Sequence, residues 1–259
     1  MGQETKIIAI ANQKGGVGKT TTSINLSAAL ALTKKRVLLI DSDPQGNASS
    51  GVGTTKNKSG KYLYHAYTRT FTTDEVISNT STKNLNIIPS DINLVAAELE
   101  FLALEDREFQ LKKVLSDTKK PYDYVFIDCP PSLGLLTINA LTAAHSVLIP
   151  MQCEYFALEG LAQLVNTIRS VKNSFNPSLY VEGLVLTMFD KRNKLTHQVA
   201  DEIGVHFGEQ LLKTVIPRNV RLSECPSHGK HIFDYDNLST GAQAYKDLAR
   251  EFLKNQGLN

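Results

Sequence analysis

Short apolar runs alternate with longer stretches of helical periodicity along most of this chain. The runs are rich in Val, Ile and Leu at nearly every position, which is typical of strands buried on both faces of a parallel sheet. They lie at residues 7–11, 36–41, 85–89, 124–128, 146–150, 181–187 and 214–217. Apolar residues recur at helical spacing in residues 21–30, 92–104, 107–117, 135–144, 160–175 and 197–207. The pattern predicts an α/β fold, with a mostly parallel central sheet flanked by helices on both faces.

Two other stretches carry weaker patterns. Residues 51–73 are polar and rich in Gly, Lys, Ser, Thr and Tyr, so we expect surface loop and a short helix there. Near the C-terminus, one apolar helical face comprises Tyr245, Leu248, Ala249, Phe252 and Leu253. That face favours packing on the core, with docking on a membrane as the alternative. Because no repeat or Pro/Gly-rich linker divides the chain, we expect residues 1–259 to form a single domain.

The composition is that of an ordinary soluble protein, with 42% hydrophobic and 21% charged residues. A net charge of only +2 means that binding to nucleic acid would need a local basic patch. The three cysteines lack C-x-x-C spacing and suit a reducing compartment, and the six histidines lack the spacing of zinc ligands. No apolar run approaches the length of a membrane span. We expect a cytoplasmic protein.

The most informative motif stands between the first apolar run and the first helical stretch, and reads K-G-G-V-G-K-T-T. Glycines allow successive backbone N–H groups to turn toward one anion, and the following helix adds its positive dipole end. Lys19 supplies a positive charge for the β- and γ-phosphates, and the Thr20 hydroxyl can ligate Mg²⁺. The motif predicts a phosphate-binding loop for a nucleoside triphosphate, formed by Lys14, Gly15, Gly16, Val17, Gly18, Lys19, Thr20 and Thr21.

Carboxylates follow two of the apolar runs, at the edge where open α/β sheets place their ligands. Asp41 and Asp43 end and follow one run, and Asp128 ends another. A buried carboxylate at a strand end is costly unless a cation or N–H groups compensate its charge. Helix capping is the alternative role for each Asp, but two such strand ends beside a phosphate loop favour a magnesium site. We therefore associate Thr20, Asp41, Asp43 and Asp128 with Mg²⁺.

Several segments resemble one family. The glycine loop has Gln13 where the ordinary Walker A motif has its first glycine, and it opens with Lys14, like the deviant Walker A loop of the ParA/MinD ATPases. D-S-D-P-Q-G-N-A-S-S-G from residue 41 and I-D-C-P-P-S-L-G-L-L-T-I-N-A-L from residue 127 resemble that family's second nucleotide motif and Walker B segment. Q-C-E-Y-F-A-L-E-G from residue 152 and V-I-P-R-N-V-R-L-S-E-C-P-S-H-G-K from residue 215 are similar to chromosomal ParA proteins of the Soj type. The matches cover nearly the whole chain.

The resemblance implies ATP and Mg²⁺ as ligands, and a role for individual residues. Lys14 corresponds to the family's signature lysine, which reaches phosphates held by the other subunit of an ATP-sandwiched homodimer. Asp43 would position or activate the attacking water, and with Lys14 and Lys19 it forms the expected catalytic set. Asp41 and Asp128 would hold the hydration shell of Mg²⁺.

The resemblance also places the adenine beside Pro217, Arg218 and Asn219. The planar amide of Asn219 can pair with the edge of a base. Its alternative role is that of an ordinary turn Asn, which needs no ligand.

Relatives of the Soj type bind double-stranded DNA without sequence preference. The candidate contacts here are Lys191, Arg192, Arg218 and Arg221, with Lys194 nearby. A solvated surface charge is the alternative for each of them. Arg192 and Arg221 match positions implicated in DNA binding in those relatives. Contacts to phosphates suit this role, because no helix-turn-helix or zinc-finger signature offers base readout.

The resemblance implies a ParA/Soj-type ATPase for DNA segregation, which hydrolyses ATP to ADP and phosphate. The ATP-bound dimer would associate with the nucleoid, and a ParB-type centromere-binding protein would stimulate the hydrolysis that releases it. No stable membrane association is expected. A MinD-like membrane-associated positioning ATPase is the alternative. A role like that of the nitrogenase iron protein is disfavoured, because Cys129 and Cys153 lack the surrounding motifs of that protein.

Overall fold

One seven-stranded sheet runs through the part of the chain that the structure describes. The computed structural model describes residues 5–54, 60–154 and 157–257. The strands are β1 Lys6–Ile10, β2 Val37–Asp41, β3 Ser78–Asn79, β4 Leu85–Ile88, β5 Tyr124–Asp128, β6 Ser146–Gln152 and β7 Tyr180–Thr187. Their order is β3-β4-β2-β5-β1-β6-β7, and among these described strands β3 alone is antiparallel to its neighbour. The mostly parallel α/β fold predicted from the sequence is confirmed.

Both faces of the central strands are buried, which explains their continuous apolar sequences. In β1, Ile8 and Ile10 belong to one core cluster, whereas Ala9 belongs to the other. In β5, Phe126 and Ile127 divide in the same way, and all five side chains are fully buried. Successive side chains of a strand point to opposite faces of the sheet. A strand covered by helices on both sides therefore needs an apolar residue at every position.

Helices pack on both faces of this sheet. They are α1 Lys19–Leu32, α2 Asn47–Gly51, α3 Leu63–Tyr67, α4 Thr73–Val76, α5 Leu94–Phe101, α6 Gln110–Ser116, α7 Leu135–Ala143, α8 Ala157–Ser174, α9 Lys194–Phe207, α10 Val220–Glu224, α11 Ile232–Tyr235 and α12 Thr240–Asn255. Single 3₁₀ turns lie at Arg107–Phe109, Gly208–Gln210 and Cys225–His228. The predicted helices are present, with ends shifted by up to three residues. The antiparallel β3 was not predicted, because two residues are too few to produce a hydrophobic pattern.

The predicted strand at residues 214–217 is wrong. This segment meets β7 and the residues just after it through single contacts, among them a hydrogen bond from Ile216 N to Leu186 O (2.8 Å) and an isolated bridge between Phe189 and Pro217. Pro217 has no N–H and cannot continue a ladder. The segment is apolar because Ile216 is buried in the core, not because it forms a strand.

The two weaker patterns have different outcomes. Within residues 51–73 the structure contains the short helix α3, as expected, and residues 55–59 lie outside the described part. On α12, Tyr245, Leu248, Ala249 and Phe252 are buried, and the helix packs against α1. Core packing of this face is confirmed. None of the described helices is long and apolar enough to cross a bilayer.

Candidate nucleotide-binding site

The carboxyl ends of three neighbouring strands bring the predicted site residues together. Strand β5 lies between β2 and β1. The register pairs Asp128 with Asp41 on one side and with Ile10 on the other. The glycine loop leaves β1 immediately after Ile10, so it starts beside Asp128. The predicted phosphate loop and the two strand-end carboxylates therefore share one edge of the sheet.

Two glycines of the loop adopt a backbone conformation that other residues rarely take. Gly16 has φ +74° and Gly18 has φ +85°. Gly18 is also the N-cap of α1, which has no side-chain hydrogen bond at that end. The first helical bond in that turn runs from Thr22 N to Gly18 O (2.9 Å). The N–H groups that precede it are those that an anion can satisfy.

Side chains from two other strands hold the carbonyl groups of the loop. Thr187 Oγ1, at the end of β7, donates to Val17 O (2.7 Å). Gln152 Nε2, at the end of β6, donates to Gly16 O (3.4 Å). In a trans peptide unit the C=O and the following N–H point in opposite directions. Fixing these two carbonyls therefore turns the N–H groups of Val17 and Gly18 to the opposite side of the loop.

Asn12 fixes the start of the loop. Its side chain is 7% exposed, its Nδ2 donates to Pro150 O (2.8 Å), and its Oδ1 accepts from Lys14 N (3.0 Å). Just before it, Ala11 N donates to Leu148 O (3.3 Å) as the last backbone contact of β1 with β6. The Asn12 side chain thus replaces the next backbone hydrogen bond between β1 and β6, at the point where the backbone leaves the sheet. It also holds the backbone of Lys14 there.

Lys19 is buried within the loop. It is 6% exposed, and its Nζ donates to Lys14 O (3.0 Å). Burial lowers the pKa of Lys19, and the nearby carboxylate of Asp128 opposes that shift. An ammonium group in such a place gains strongly from a bound anion. The geometry therefore fits the predicted contact of Lys19 with phosphates.

Asp128 has the least satisfied carboxylate of the site. Ser23 Oγ, one turn into α1, donates to its Oδ1 (2.7 Å). Its Oδ2 is buried and has no hydrogen-bond partner among the described residues. Burial and then the charge of Asp41 raise the pKa of Asp128 to about 7. An unpaired buried carboxylate oxygen is costly, and a cation relieves that cost.

The second strand-end carboxylate is better satisfied. Asp41 Oδ2 accepts from Ser49 N (2.7 Å) and Ser49 Oγ (2.6 Å), and its Oδ1 accepts from Asp43 N (3.2 Å). Burial nevertheless raises its pKa to about 6. Asp43 is 7% exposed, and its Oδ1 accepts from Gln45 N (2.9 Å). The backbone thus fixes the orientation of Asp43 and leaves its Oδ2 available.

A cavity of about 570 Å³ lies in front of these groups. The residues that line it include Gly15, Gly18, Lys19, Thr20 and Asp43. Its size is that of a small-molecule site. Within the described ranges, no three His, Cys, Asp or Glu side chains are grouped so that they could hold a metal ion directly. The donor set suits a cation that keeps most of its waters, as Mg²⁺ does.

Lys14 is not among the residues that line this cavity. Its Nζ forms a salt bridge with Glu154, which follows β6. Both side chains are about half exposed, at 41% and 50%. Glu154 belongs to the motif that begins at residue 152, whose Tyr155 and Phe156 lie outside the described residues. The structure therefore separates the two predicted lysines: Lys19 lies inside the loop, and Lys14 lies at its outer edge.

The segment predicted to border the adenine lies next to the phosphate loop. Pro217, Arg218 and Asn219 line a smaller cavity of about 100 Å³, to which Gly18 and Thr21 also contribute. The side chain of Asn219 is already engaged. Its Oδ1 accepts from the N–H of residue 222 (3.3 Å) as the N-cap of α10, and its Nδ2 donates to the hydroxyl of residue 240 (2.8 Å). These bonds favour the turn role of Asn219 over pairing with a base.

The predicted DNA-contacting arginines are exposed, and two of them, Arg192 and Arg221, are paired with carboxylates of the same chain. Arg192 forms a salt bridge with Asp190 (3.2 Å) and is 91% exposed. Arg221 pairs with Glu224 (3.0 Å) and, at 3.4 Å, with the carboxylate of residue 236. The backbone N–H of Arg218 donates to Phe189 O (3.4 Å). Lys191 and Lys194 are exposed as well.

Five residues that matter to this geometry were not predicted: Asn12, Ser23, Ser49, Gln152 and Thr187. Ser23 follows Lys19 by one helical turn, and Ser49 lies inside the second nucleotide motif, so helical spacing and that motif were usable signals. The contacts of Asn12 with Pro150 and of Thr187 with Val17 join residues that only the folded sheet brings together.

The chain is similar to several known proteins. The AAA domain model matches residues 5–181. The sporulation initiation inhibitor protein Soj of Bacillus subtilis is 55% identical over 250 residues, covering 96% of this chain and 99% of that protein. The chromosome partitioning protein ParA of Myxococcus xanthus is 51% identical over 249 residues, covering 96% and 88%. The structure of cobyrinic acid a,c-diamide synthase from Mycobacterium smegmatis, with bound ADP and magnesium, has a TM-score of 0.86 at 34% identity, covering 98% and 96%.

The two relatives and the solved structure each cover at least 96% of this chain, and the AAA domain model covers the part that contains the phosphate loop, Asp41, Asp43 and Asp128. The resemblance to Soj and ParA proteins is confirmed, and the chain belongs to the ParA/Soj family of partitioning proteins, P-loop ATPases with an AAA domain.

Proposed function

We propose that this protein is an ATP-dependent DNA-segregation ATPase, which binds DNA as an ATP-bound homodimer and leaves it after hydrolysis. One observation carries the proposal. Asp128 has a buried oxygen that forms no hydrogen bond with the described residues, and it lies near Lys19 of a phosphate loop whose Gly16 and Val17 carbonyls are already held. Such an arrangement stabilises a bound Mg²⁺–nucleotide and is costly without one. The ADP and magnesium in the M. smegmatis structure support this reading.

The loop residues 14–21 would bind the phosphates, with Lys19 between the β- and γ-phosphates. Thr20 would ligate Mg²⁺, and Asp41 and Asp128 would hold its hydration shell. When bound, the ion neutralises charge that develops on the phosphate oxygens. Asn12 and Thr187 hold the loop to the sheet, which favours an ordered loop before the ligand arrives.

Asp43 would position the water that attacks the γ-phosphate. Its Oδ1 accepts a hydrogen bond from Gln45 N, which fixes the carboxylate, and the residue lines the cavity. A carboxylate is a weak base for water, so orientation contributes more to this step than proton abstraction. Removal of Asp43 should therefore lower turnover more than it lowers nucleotide affinity.

The exposed position of Lys14 supports a homodimer. Its ammonium group lies at the rim of the site and is neutralised by Glu154 of the same chain. Across a two-fold interface, phosphates of the other subunit could replace Glu154 as the partner of Lys14. An exposed ion pair contributes little stability, so the exchange costs little.

The DNA would be held by Lys191, Arg192, Arg218 and Arg221, through contacts to the phosphate backbone. A basic segment of a ParB-type partner would stimulate hydrolysis and so release the dimer. The relatives named for chromosome partitioning and Soj support this direction.

The test is ATP hydrolysis measured without additions, with DNA, with the ParB protein of the same organism, and with both. We expect low turnover alone and the largest turnover with both. Asp43→Ala should bind ATP and DNA yet hydrolyse ATP slowly. Turnover that ignores both additions, or DNA binding of equal strength with ATP and ADP, would contradict the proposal.

A further inference from the structure

The helix α5 carries apolar side chains on two opposite faces. One face packs into the core through Leu94, Ala97 and Phe101. The other face is exposed and consists of Ile92 (63%), Val95 (46%), Leu99 (68%) and Leu102 (60%). Their spacings of three, four and three residues place them on one side of a helix. We name these four residues the α5 stripe.

The α5 stripe is continuous although α5 itself spans only Leu94–Phe101. Val95 N donates to Ile92 O (3.1 Å), and Leu102 N donates to Leu99 O (3.2 Å), so helical turns extend the element at both ends. Single exposed apolar residues are normal on protein surfaces. Four large ones in a row form a contiguous patch, which is a mark of an interaction site.

The surroundings of the α5 stripe are acidic. Residues 85–106 contain five acidic residues, Asp91, Glu98, Glu100, Glu105 and Asp106, and no Lys or Arg. Asp106 forms a salt bridge with Lys113 and Arg107 forms one with Glu108, so the negative charge of this segment comes from Asp91, Glu98, Glu100 and Glu105. This charge repels DNA and anionic lipid, and it attracts a cationic partner. An apolar stripe with acidic flanks matches a helix that has Leu-like residues on one face and Lys or Arg beside them.

Glu98 connects the α5 stripe to the nucleotide site. Its Oε1 accepts from Leu136 N (3.4 Å), at the start of α7. A Cβ atom on Gly134 would lie 2.6 Å from the same oxygen, so the two elements are in close contact. The chain between Asp128 and α7 includes Pro131, which lines the nucleotide cavity. A partner on α5 would therefore press on the loop that follows Asp128.

We propose that the α5 stripe is the docking site of a cationic amphipathic helix from a second protein, and that Glu98 transmits docking to the loop between Asp128 and α7. Docking needs neither nucleotide nor DNA, so its failure would be distinguishable from failure of the ATPase cycle proposed above.

The test uses a fluorescein-labelled 18-residue peptide of Lys and Leu, with Leu on one helical face, and a scrambled peptide of the same composition. We expect Leu99→Gln/Leu102→Gln to weaken binding of the amphipathic peptide at least tenfold, without a change in melting temperature. The matched control is Val205→Gln on α9, where an apolar side chain is 82% exposed outside the α5 stripe. It should bind the peptide like the wild type, and the scrambled peptide should bind at least tenfold more weakly.

Hydrogen exchange tests the second part of the proposal. The peptide should slow exchange at residues 133–136 in the wild type. In Glu98→Ala it should still bind, but that slowing should be lost. Equal peptide affinity in wild type and Leu99→Gln/Leu102→Gln, or no binding to either, overturns the docking site. Binding of the wild type to phosphatidylglycerol vesicles that Leu99→Gln/Leu102→Gln abolishes would show a membrane surface instead, and it also overturns the proposal.

Discussion

The phosphate loop and the basic surface, which comprises Lys191, Arg192, Arg218 and Arg221, differ in how their charged groups are held. Lys19 and Asp128 are buried, and their neighbours come from several strands and from α1. Arg192 and Arg221 are exposed, and each is paired with carboxylates on its own or a neighbouring short segment. A ligand that supplies the missing partner of a buried group is bound strongly. A ligand of an exposed ion pair must first displace the existing partner, so it gains little. If the proposed function holds, one chain would suffice to bind the nucleotide, whereas DNA binding would need several weak contacts together.

The largest expected effect is that of Lys19→Ala. Because Lys19 is the buried cation of the loop, its loss should weaken ATP binding on the order of 1000-fold, about 4 kcal/mol. Calorimetric titration of the single chain measures this. Lys14→Ala is the matched control, and it should bind ATP like the wild type at protein concentrations that keep the chain monomeric. ATP affinity within tenfold of the wild type in Lys19→Ala would contradict the buried site.

The next effect concerns stability and pH in the nucleotide-free protein in EDTA. The pKa of Asp128 is raised to about 7 in the folded chain, above its unfolded value of about 3.9. The unfolded chain therefore releases this proton first, and the folded state loses stability as the pH rises from about 4 to about 7. Asp128→Asn removes this loss of stability. At pH 8 its free energy of unfolding should exceed that of the wild type by on the order of 2 to 4 kcal/mol.

Urea unfolding of wild type and Asp128→Asn at pH 5 and pH 8 measures this difference in the free energy of unfolding. At pH 5 the two proteins should differ less. A wild type and Asp128→Asn with the same pH dependence would show that Asp128 is not destabilised by its surroundings.

A smaller effect is expected from Asn12→Ala, which frees the start of the loop without touching a phosphate. We expect ATP affinity to fall roughly 10-fold, about 1.4 kcal/mol, because the loop must then be ordered on binding. Asn176→Ala is the matched control. Asn176 is also buried and donates two hydrogen bonds to backbone carbonyls, but it lies between α8 and β7, outside the residues that line the cavity. If both variants lose affinity equally, the effect comes from stability and not from the loop.

The smallest effect is expected at the basic surface. Arg192→Ala should weaken DNA binding by the ATP-bound protein less than tenfold and lower the magnitude of the salt slope by about 0.9 for each lost phosphate contact. Asp190→Asn releases Arg192 from its partner and should strengthen DNA binding. Fluorescence anisotropy at several salt concentrations measures both. Opposite or absent changes would mean that the pair with Asp190 does not limit contact with DNA.

The parts of the site that the sequence predicts are those whose chemistry is local. The glycines, Lys19 and Thr20 follow one another along the chain, and Asp128 ends a strand whose apolar pattern is unambiguous. Those assignments remain predictions, now with a geometry that fits them. The overall fold could be predicted for the same reason, because each strand and helix carries its own periodicity.

The remaining features depend on contacts across the sheet. Asn12 meets Pro150 over a separation of 138 residues, and Thr187 meets Val17 over 170. No pattern in either short segment indicates the other. The salt bridge of Lys14 with Glu154 is likewise visible only in the folded chain. The apolar pattern of segment 214–217 predicts a strand, but the burial of this segment does not come from strand pairing.

The contacts that hold the carbonyls of Gly16 and Val17 have a consequence for rates. A loop that must be ordered at each encounter slows association, whereas a loop already held by Gln152 and Thr187 presents its N–H groups at the first collision. Association of nucleotide should therefore be limited by diffusion and electrostatics. ATP and ADP would then differ mainly in how long they stay, and residence time, rather than the speed of capture, would set the occupancy of the site in the cell.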